Sequence, residues 1–177
     1  MRRKIGNSVL ELVEGDITRE EVDAIVNAAN DRLLPGGGVC GAIHRAAGPG
    51  LARACAEIGY CPTGQVRVTK GFNLKAEYVF HAVGPIYRER PEDAGLLASC
   101  YREALRLARE MKLRSISFPA ISTGIYGYPV REAAKIAIET IVAFLRENSP
   151  EMLVRMVLFT PADYDIHCKV LQEVQAG

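Results

Sequence analysis

The sequence has almost no excess of charge, because 22 basic and 21 acidic residues leave a formal net charge of +1. A dominant field that would attract nucleic acid or a membrane surface is therefore not expected. No stretch approaches the roughly 18 consecutive apolar residues of a membrane-spanning helix. Polar residues follow the basic start at Met1 to Lys4, so no secretory signal peptide is expected either. These absences predict a cytoplasmic protein.

Cysteine pairs of the kind that build disulfide frameworks or zinc sites are also missing. The five cysteines are an odd number, and no two of them are spaced as C-x-x-C. Reduced thiols are the simplest interpretation, and neither a metal nor a cofactor is indicated.

The remaining composition is typical of one globular α/β domain covering residues 1–177. About half of the residues (49%) are hydrophobic, enough for a sizeable core. Strand-like and helix-like periods alternate without a linker or repeat, which predicts an α/β sandwich with a mostly parallel central sheet. The predicted strands are 9–13, 24–26, 65–70, 78–83, 115–119 and 153–159, and the clearest helices are 94–111, 130–145 and 162–174. After the first strand, Thr18 is predicted to cap a short helix, with Glu21 three residues later.

A glycine-rich loop follows the short strand Ala24 to Val26. Three consecutive glycines, Gly36 to Gly38, precede a helix-like segment over residues 39–48. Glycines between a strand and a helix let the backbone approach a ligand, and a helix N-terminus favours negative charge. The segment therefore predicts a phosphate site.

The same loop contains G-x-G-x-x-G at Gly36, Gly38 and Gly41, so a Rossmann dinucleotide site is an alternative. That fold requires a second strand ending in an acidic residue about 20 positions later. The nearest candidate, Glu57, lies in a segment of helical spacing, which argues against this alternative.

A second loop of similar character follows the predicted strand 116–118 and runs from Ser122 to Pro129. Parallel strands would bring both loops to one sheet edge, where two facing backbone nests suit a diphosphate. Ser122 and Thr123 are interpreted as ligand donors. The alternative is that both loops are only tight turns.

Five segments in this order resemble the signatures of a macro domain. They are Gly15-Asp16-Ile17-Thr18, residues 23–30, residues 36–48, His81-Ala82-Val83-Gly84-Pro85 and residues 121–129. The resemblance covers nearly the whole chain. It implies a three-layer α/β/α sandwich around a mixed, mostly parallel sheet, with ADP-ribose or an ADP-ribosylated protein bound at the strand ends.

The resemblance assigns expected roles to residues at both ends of the ligand. Asp16 would accept a hydrogen bond from the adenine amine and so reject guanine, while the Ile17 amide would reach the neighbouring ring nitrogen. Phe159 would pack on the adenosine. The alternatives are that Asp16 is a helix cap and that Phe159 is a core residue. The remaining expected binding residues are Ala28, Asn30, Gly37, Gly38, Val39, Ser122, Thr123, Gly124, Ile125 and Tyr126.

Asn30 and Cys40 are the expected catalytic positions. Asn30 would hold the hydroxyls of the distal ribose, and Asn27 would brace the turn. The sequence resembles the MacroD-type branch of this family, in which many members have an aspartate that assists the attacking water. The residue at the corresponding position of this sequence is Cys40. The resemblance implies hydrolysis of ester-linked ADP-ribose, either on acidic protein side chains or in O-acetyl-ADP-ribose. A reader that binds ADP-ribose without turnover stays open as the alternative. His44 and His81 are interpreted as buried structural histidines.

Overall fold

The structure is a computed structural model, and it describes residues 1–175. Its regular elements are strands connected by helices, as the alternating periods predict. The strands are β1 (Arg2–Ile5), β2 (Ser8–Glu14), β3 (Ala24–Ala28), β4 (Val66–Lys70), β5 (Tyr78–Ala82), β6 (Ser115–Phe118) and β7 (Leu153–Leu158). The helices are a short 3₁₀ helix (Ile17–Arg19), α1 (Gly38–Ala47), α2 (Pro49–Ile58), α3 (Pro91–Glu110), α4 (Val130–Asn148) and α5 (Pro161–Gln175).

The strands form one mixed sheet in the order β1-β2-β7-β6-β3-β5-β4. The pairs from β2 to β5 are parallel, whereas the two outermost pairs, β1 with β2 and β4 with β5, are antiparallel. This arrangement confirms the predicted mixed, mostly parallel sheet.

Helices cover both faces of the sheet, which makes the fold a three-layer α/β/α sandwich. Neighbouring residues of a strand point to opposite faces. Accordingly, Val26 belongs to the larger core cluster with Leu97 of α3 and Ile138 of α4. Ile25 belongs to a second cluster with Ile43 of α1 and Leu51 of α2.

Two features differ from the simplest interpretation of the sequence. β1 was not predicted; it is a four-residue edge strand in which only Ile5 is buried, so its pattern is weak. The Rossmann alternative is wrong. Glu57 lies within α2, and the next strand, β4, pairs antiparallel with β5 instead of extending a parallel unit.

The topology brings the ends of four strands to one edge of the sheet. β2, β7, β6 and β3 are parallel neighbours, so their carboxyl ends all lie on that edge. The glycine loop follows β3 and the second loop follows β6.

None of the helices in the described part of the chain has the length and apolar character needed to cross a bilayer.

Candidate functional site

A cleft of about 650 Å³ opens at the carboxyl edge of the parallel strands. This volume is within the usual range for a small-molecule site, roughly 300–1,000 Å³. Every residue that the sequence analysis assigned to ligand binding or catalysis lines it. These residues are Asp16, Ile17, Ala28, Asn30, Gly37, Gly38, Val39, Cys40, Ser122, Thr123, Gly124, Ile125, Tyr126 and Phe159.

Asp16 lies at one end of the cleft, directly after β2, and caps the 3₁₀ helix. Its Oδ1 accepts hydrogen bonds from the Thr18 amide at 3.0 Å and the Thr18 hydroxyl at 2.7 Å. Its Oδ2 lies 3.9 Å from Nε of Arg19. The helix-cap alternative is therefore correct, but Oδ2 retains room for a ligand donor. The expectation that Thr18 caps this helix is wrong, because Asp16 occupies that role.

Phe159 follows the last residue of β7 and lines the same end of the cleft. Its exposed fraction is 76%. The alternative that it is a core phenylalanine is therefore wrong. An exposed aromatic ring beside a cleft is available to stack on a planar ligand.

The glycine loop leads into α1, and the loop and the first residues of the helix line the cleft. Gly37 is the N-cap and makes no side-chain capping bond, and the first helical bond joins the Gly41 amide to the Gly37 carbonyl. The amides of residues 38–40 therefore have no carbonyl partner within the helix. Gly38 has φ of +56°, which favours glycine. At Gly41 a Cβ would collide with the Gly36 carbonyl, so the helix start and the loop pack too closely for a side chain.

The second loop faces the glycine loop across the cleft. Ser122 has φ of +68°, and the turn bonds use the amides of Thr123, Gly127 and Tyr128. The Ser122 hydroxyl donates to the Pro85 carbonyl at 2.8 Å, and the Thr123 hydroxyl donates to the Ala120 carbonyl at 2.8 Å. Both hydroxyl hydrogens therefore stabilise the loop in this structure, and the role of Ser122 and Thr123 as ligand donors stays a prediction.

The two loops meet at Ile125 and Gly37. A Cβ built at Gly37 would lie 3.7 Å from Cδ1 of Ile125, so the isoleucine side chain reaches the opposite loop. Next to it, burial raises the pKa of Tyr126, and the carboxylate of Asp31 and the thiol of Cys40 raise it further. Tyr126 is thus a neutral phenol beside the position of Cys40.

Asn30 lies at the other end of the cleft from Asp16, after β3, and its side chain braces the glycine loop. Nδ2 donates to the Leu34 carbonyl at 2.7 Å, and Oδ1 accepts from the Leu34 amide at 3.0 Å. Each carboxamide atom still has one further bonding position, because Nδ2 carries two hydrogens and Oδ1 two lone pairs.

Cys40 lies on the first turn of α1, buried at the cleft floor. Its Sγ lies 3.7 Å from the Leu34 carbonyl and 3.6 Å from Nδ2 of Asn27. Asn27 also contacts Nδ1 of His81 at 3.1 Å. The expectation that Asn27 braces the turn through its own backbone is wrong, since its carboxamide instead links Cys40 to His81.

The two histidines behind the glycine loop are buried, as expected. His81 contacts Thr69 Oγ1 at 2.9 Å through Nε2, so it is hydrogen-bonded on both ring nitrogens. Burial lowers the pKa of His44, whose Nδ1 is buried without a partner among residues 1–175. The expected hydrogen bonding of His44 is therefore not found at Nδ1.

Comparison with known proteins identifies the family. The family model described as Macro domain matches residues 26–137. A macro domain-containing protein of Chlorobaculum tepidum is 51% identical over 166 residues, which cover 93% of this chain and 96% of that protein.

The chain belongs to the macro domain family.

Three further macro domain relatives have more informative descriptions. ADP-ribose glycohydrolase MACROD2 of Xenopus laevis is 49% identical over 176 residues, and the match covers 96% of this chain but 42% of that longer protein. The Oceanobacillus iheyensis macrodomain, solved with ADP, is 50% identical with a TM-score of 0.97, covering 99% of this chain and 96% of that one. A Trypanosoma brucei macrodomain solved with ADP-ribose is 45% identical, with a TM-score of 0.85 over 90% of this chain and 68% of that one.

Sequence reasoning missed two charged residues of this macro domain's cleft, Arg45 and Asp163. Arg45 follows Gly38 and Ala42 at i+7 and i+3 spacing on one face of α1, which is the signal that could have found it. Asp163 lies in the first turn of α5, just after Phe159. Among residues 1–175, no group of three or more histidine, cysteine or acidic side chains is placed to hold a metal ion.

Proposed function

We propose that the chain binds ADP-ribose along this cleft and hydrolyses ester-linked derivatives of it. The observation that carries the proposal is that residues following four neighbouring strands line one cleft: Asp16 follows β2, Phe159 follows β7, the second loop follows β6, and Asn30 and the glycine loop with Cys40 follow β3. Relatives solved with ADP and ADP-ribose support this ligand class.

The order of groups in ADP-ribose fits the order of residues in the cleft. Adenine would donate its amine to Oδ2 of Asp16 and stack on Phe159, and such stacking contributes about 1–3 kcal/mol per base. The diphosphate would lie between residues 37–39 and residues 122–126. Amide donors and a helix N-terminus stabilise its charge there, each charge-assisted bond contributing about 1.5–3 kcal/mol.

The distal ribose would then lie beside Asn30, Tyr126 and Cys40. The second N–H and second lone pair of the Asn30 carboxamide would hold two adjacent hydroxyls and fix the sugar's anomeric face. Because Leu34 already orients this carboxamide, ligand binding need not immobilise it first.

In the proposed reaction, a water molecule between the diphosphate and the anomeric carbon attacks the ester linkage. A diphosphate oxygen accepts the water's proton and passes it to the departing oxygen as the C–O bond of the ester breaks, so the substrate assists its own hydrolysis. The products are ADP-ribose and a free carboxylic acid, either acetate or an acidic protein side chain. The name of the Xenopus laevis relative, an ADP-ribose glycohydrolase, supports a hydrolytic function.

A reader module that binds ADP-ribose without turnover is the second candidate, and Cys40 is the observation that favours it. Its thiol is buried and lies between Asn27 and Leu34. A neutral thiol cannot replace a carboxylate as a base for the attacking water. Under the reader hypothesis, the cleft keeps its affinity but catalysis is lost at this position.

One experiment separates the two candidates. The protein is incubated with an auto-mono-ADP-ribosylated acceptor and, separately, with O-acetyl-ADP-ribose, while calorimetry measures ADP-ribose affinity. Release of ADP-ribose supports the hydrolase. Binding without release selects the reader, and no binding contradicts both.

A further inference from the structure

A chain of polar contacts runs from the cleft into the sheet behind it. Cys40 Sγ lies 3.6 Å from Asn27 Nδ2, which lies 3.1 Å from His81 Nδ1. On the other side of the ring, His81 Nε2 lies 2.9 Å from Thr69 Oγ1. Asn27 and His81 are opposite each other on the parallel strands β3 and β5. Both are 1% exposed, so solvent does not satisfy their polar atoms.

 Nδ2 of Asn27 and Nδ1 of His81 therefore bond to each other within the fold.

His81 is neutral, and its ring determines how the Asn27 carboxamide is oriented. Burial, together with the smaller effect of the neighbouring His44, lowers its pKa from 6.5 to about 3. A neutral imidazole has one donor and one acceptor nitrogen. Its tautomer therefore decides which atom of the Asn27 carboxamide faces Nδ1, and hence which atom faces Cys40.

Thr69 and Cys40, at the two ends of this row of contacts, indicate the direction of the hydrogen bonds. The Thr69 hydroxyl lies 3.1 Å from the Lys70 carbonyl, which can only accept, so its oxygen is free to accept from His81 Nε2. At the other end, the Cys40 thiol lies 3.7 Å from the Leu34 carbonyl, also an acceptor. With both terminal hydrogens used in this way, His81 carries its proton on Nε2, where Thr69 Oγ1 at 2.9 Å and the weak acceptor Cys55 Sγ at 3.7 Å both face it. Asn27 then donates from Nδ2 to both His81 and Cys40.

We propose that Asn27 and His81 are positioning residues that present an amide N–H to residue 40, so that this place in the cleft favours a side chain that accepts a hydrogen bond. Oδ1 of Asn27 is buried without a partner among residues 1–175, and leaving this acceptor unpaired costs free energy. The contacts of Nδ2 with His81 and Cys40 therefore hold the carboxamide in this orientation. The same N–H would hold a carboxylate at position 40. The part of this inference that concerns turnover rests on the proposed function.

The orientation is tested without any turnover by nitrogen-15 NMR of the histidine rings and asparagine side chains. The His81 signals are assigned by their loss in His81→Gln. We expect the Nε2–H tautomer, and we expect an Asn27 amide proton to shift downfield in Cys40→Asp but not in Cys40→Ala. An Nδ1–H tautomer overturns the proposal. So does an Asn27 amide proton whose chemical shift is the same in Cys40→Asp and Cys40→Ala.

The positioning role is tested kinetically in the Cys40→Asp background, with O-acetyl-ADP-ribose as substrate. His81→Phe removes the acceptor for Asn27, and we expect kcat to fall about tenfold at unchanged KM. His81→Gln can accept from Asn27 and donate to Thr69, so it restores kcat. Thr69→Val, which removes only the distal hydroxyl, provides a milder variant if His81→Phe does not fold, and its expected loss is about threefold in kcat.

Equal kcat values in the three variants overturn the positioning role, as does a loss confined to the melting temperature. If neither the wild-type protein nor Cys40→Asp hydrolyses the substrate, the proposed function fails instead. The NMR result still decides the orientation of Asn27 in that case.

Discussion

The carboxamide of Asn30 and the backbone of Leu34 form two hydrogen bonds, of 2.7 Å from Nδ2 and 3.0 Å to Oδ1. This pair closes the loop between β3 and the glycines before any ligand is present. Asn30 therefore combines two tasks, since the same side chain shapes the loop and is expected to hold the distal ribose. A substitution there tests both tasks at once, and the measurements must separate them.

We expect Asn30→Ala to lower the hydrolysis rate by about 10²-fold, because the reacting sugar loses its orientation. The affinity for ADP-ribose should fall less, by about tenfold or below. Losing the two bonds to Leu34 costs about 1–3 kcal/mol of stability at most. Steady-state kinetics, calorimetry and thermal unfolding measure the three quantities separately. An unchanged rate would remove Asn30 from the mechanism.

Asp16→Asn tests the adenine filter while preserving the cap, because asparagine is an equally good N-cap residue. The amide can place a donor where Oδ2 accepts, so the preference for ADP-ribose over GDP-ribose should shrink by about tenfold or more, which corresponds to ~1.4 kcal/mol. Competition calorimetry with both ligands measures the ratio, and thermal unfolding checks that the cap survives. Comparable affinities of the unmodified protein for the two ligands would contradict the filter itself.

Phe159→Ala should weaken ADP-ribose binding by about 1–3 kcal/mol and leave stability nearly unchanged, because the ring is 76% exposed. Tyr60→Ala is the matched control, since Tyr60 is 56% exposed and lies outside the cleft lining. Calorimetry compares the two variants with the parent. Equal affinity in all three proteins would show that Phe159 does not stack on the ligand.

The elements of the fold followed from the sequence because the periods of strands and helices are local signals. These periods place the two loops after β3 and β6, and the alternation of strands and helices predicts the parallel pairing that brings the loops to one edge. Most of the cleft lining followed from the resemblance to the macro domain family, which assigns roles to residues that no local period distinguishes.

Side-chain partners could not be predicted in the same way, because they depend on contacts between distant residues. The Ser122 hydroxyl bonds to Pro85, 37 positions away, and Asn27 bonds to His81, 54 positions away. Each residue type alone is compatible with binding a ligand. Only the packed structure shows that their hydrogen-bonding atoms are already used within the fold.

Cys40→Asp should raise ester hydrolysis by about tenfold or more, because a carboxylate can assist the attacking water where a thiol of ordinary reactivity cannot. Cys40→Ser is the control, since it is similar in size but adds no base. ADP-ribose release from both substrates measures the effect. A collapse of activity in both variants would instead indicate that the thiol takes part in the reaction.

The buried histidine predicts how stability depends on pH. The pKa of His81 falls from 6.5 to about 3 on folding because the ring is buried. Between these values the unfolded chain binds a proton that the folded protein excludes, so the free energy of unfolding decreases as the pH falls below 6.5. One such group changes it by ~1.4 kcal/mol per pH unit, or about 2 kcal/mol between pH 6.5 and pH 5.

His44 and His167 steepen this dependence, since burial lowers the pKa of both. His81→Gln retains a donor and an acceptor at the site but cannot titrate, so its slope between pH 5 and pH 6.5 should be smaller than that of the parent by about one proton. Urea unfolding at several pH values within this window measures both slopes, and it stays above the range in which carboxylates titrate. Identical slopes in the two proteins would mean that His81 accepts a proton in the folded state, which is incompatible with its role as the neutral acceptor for Asn27.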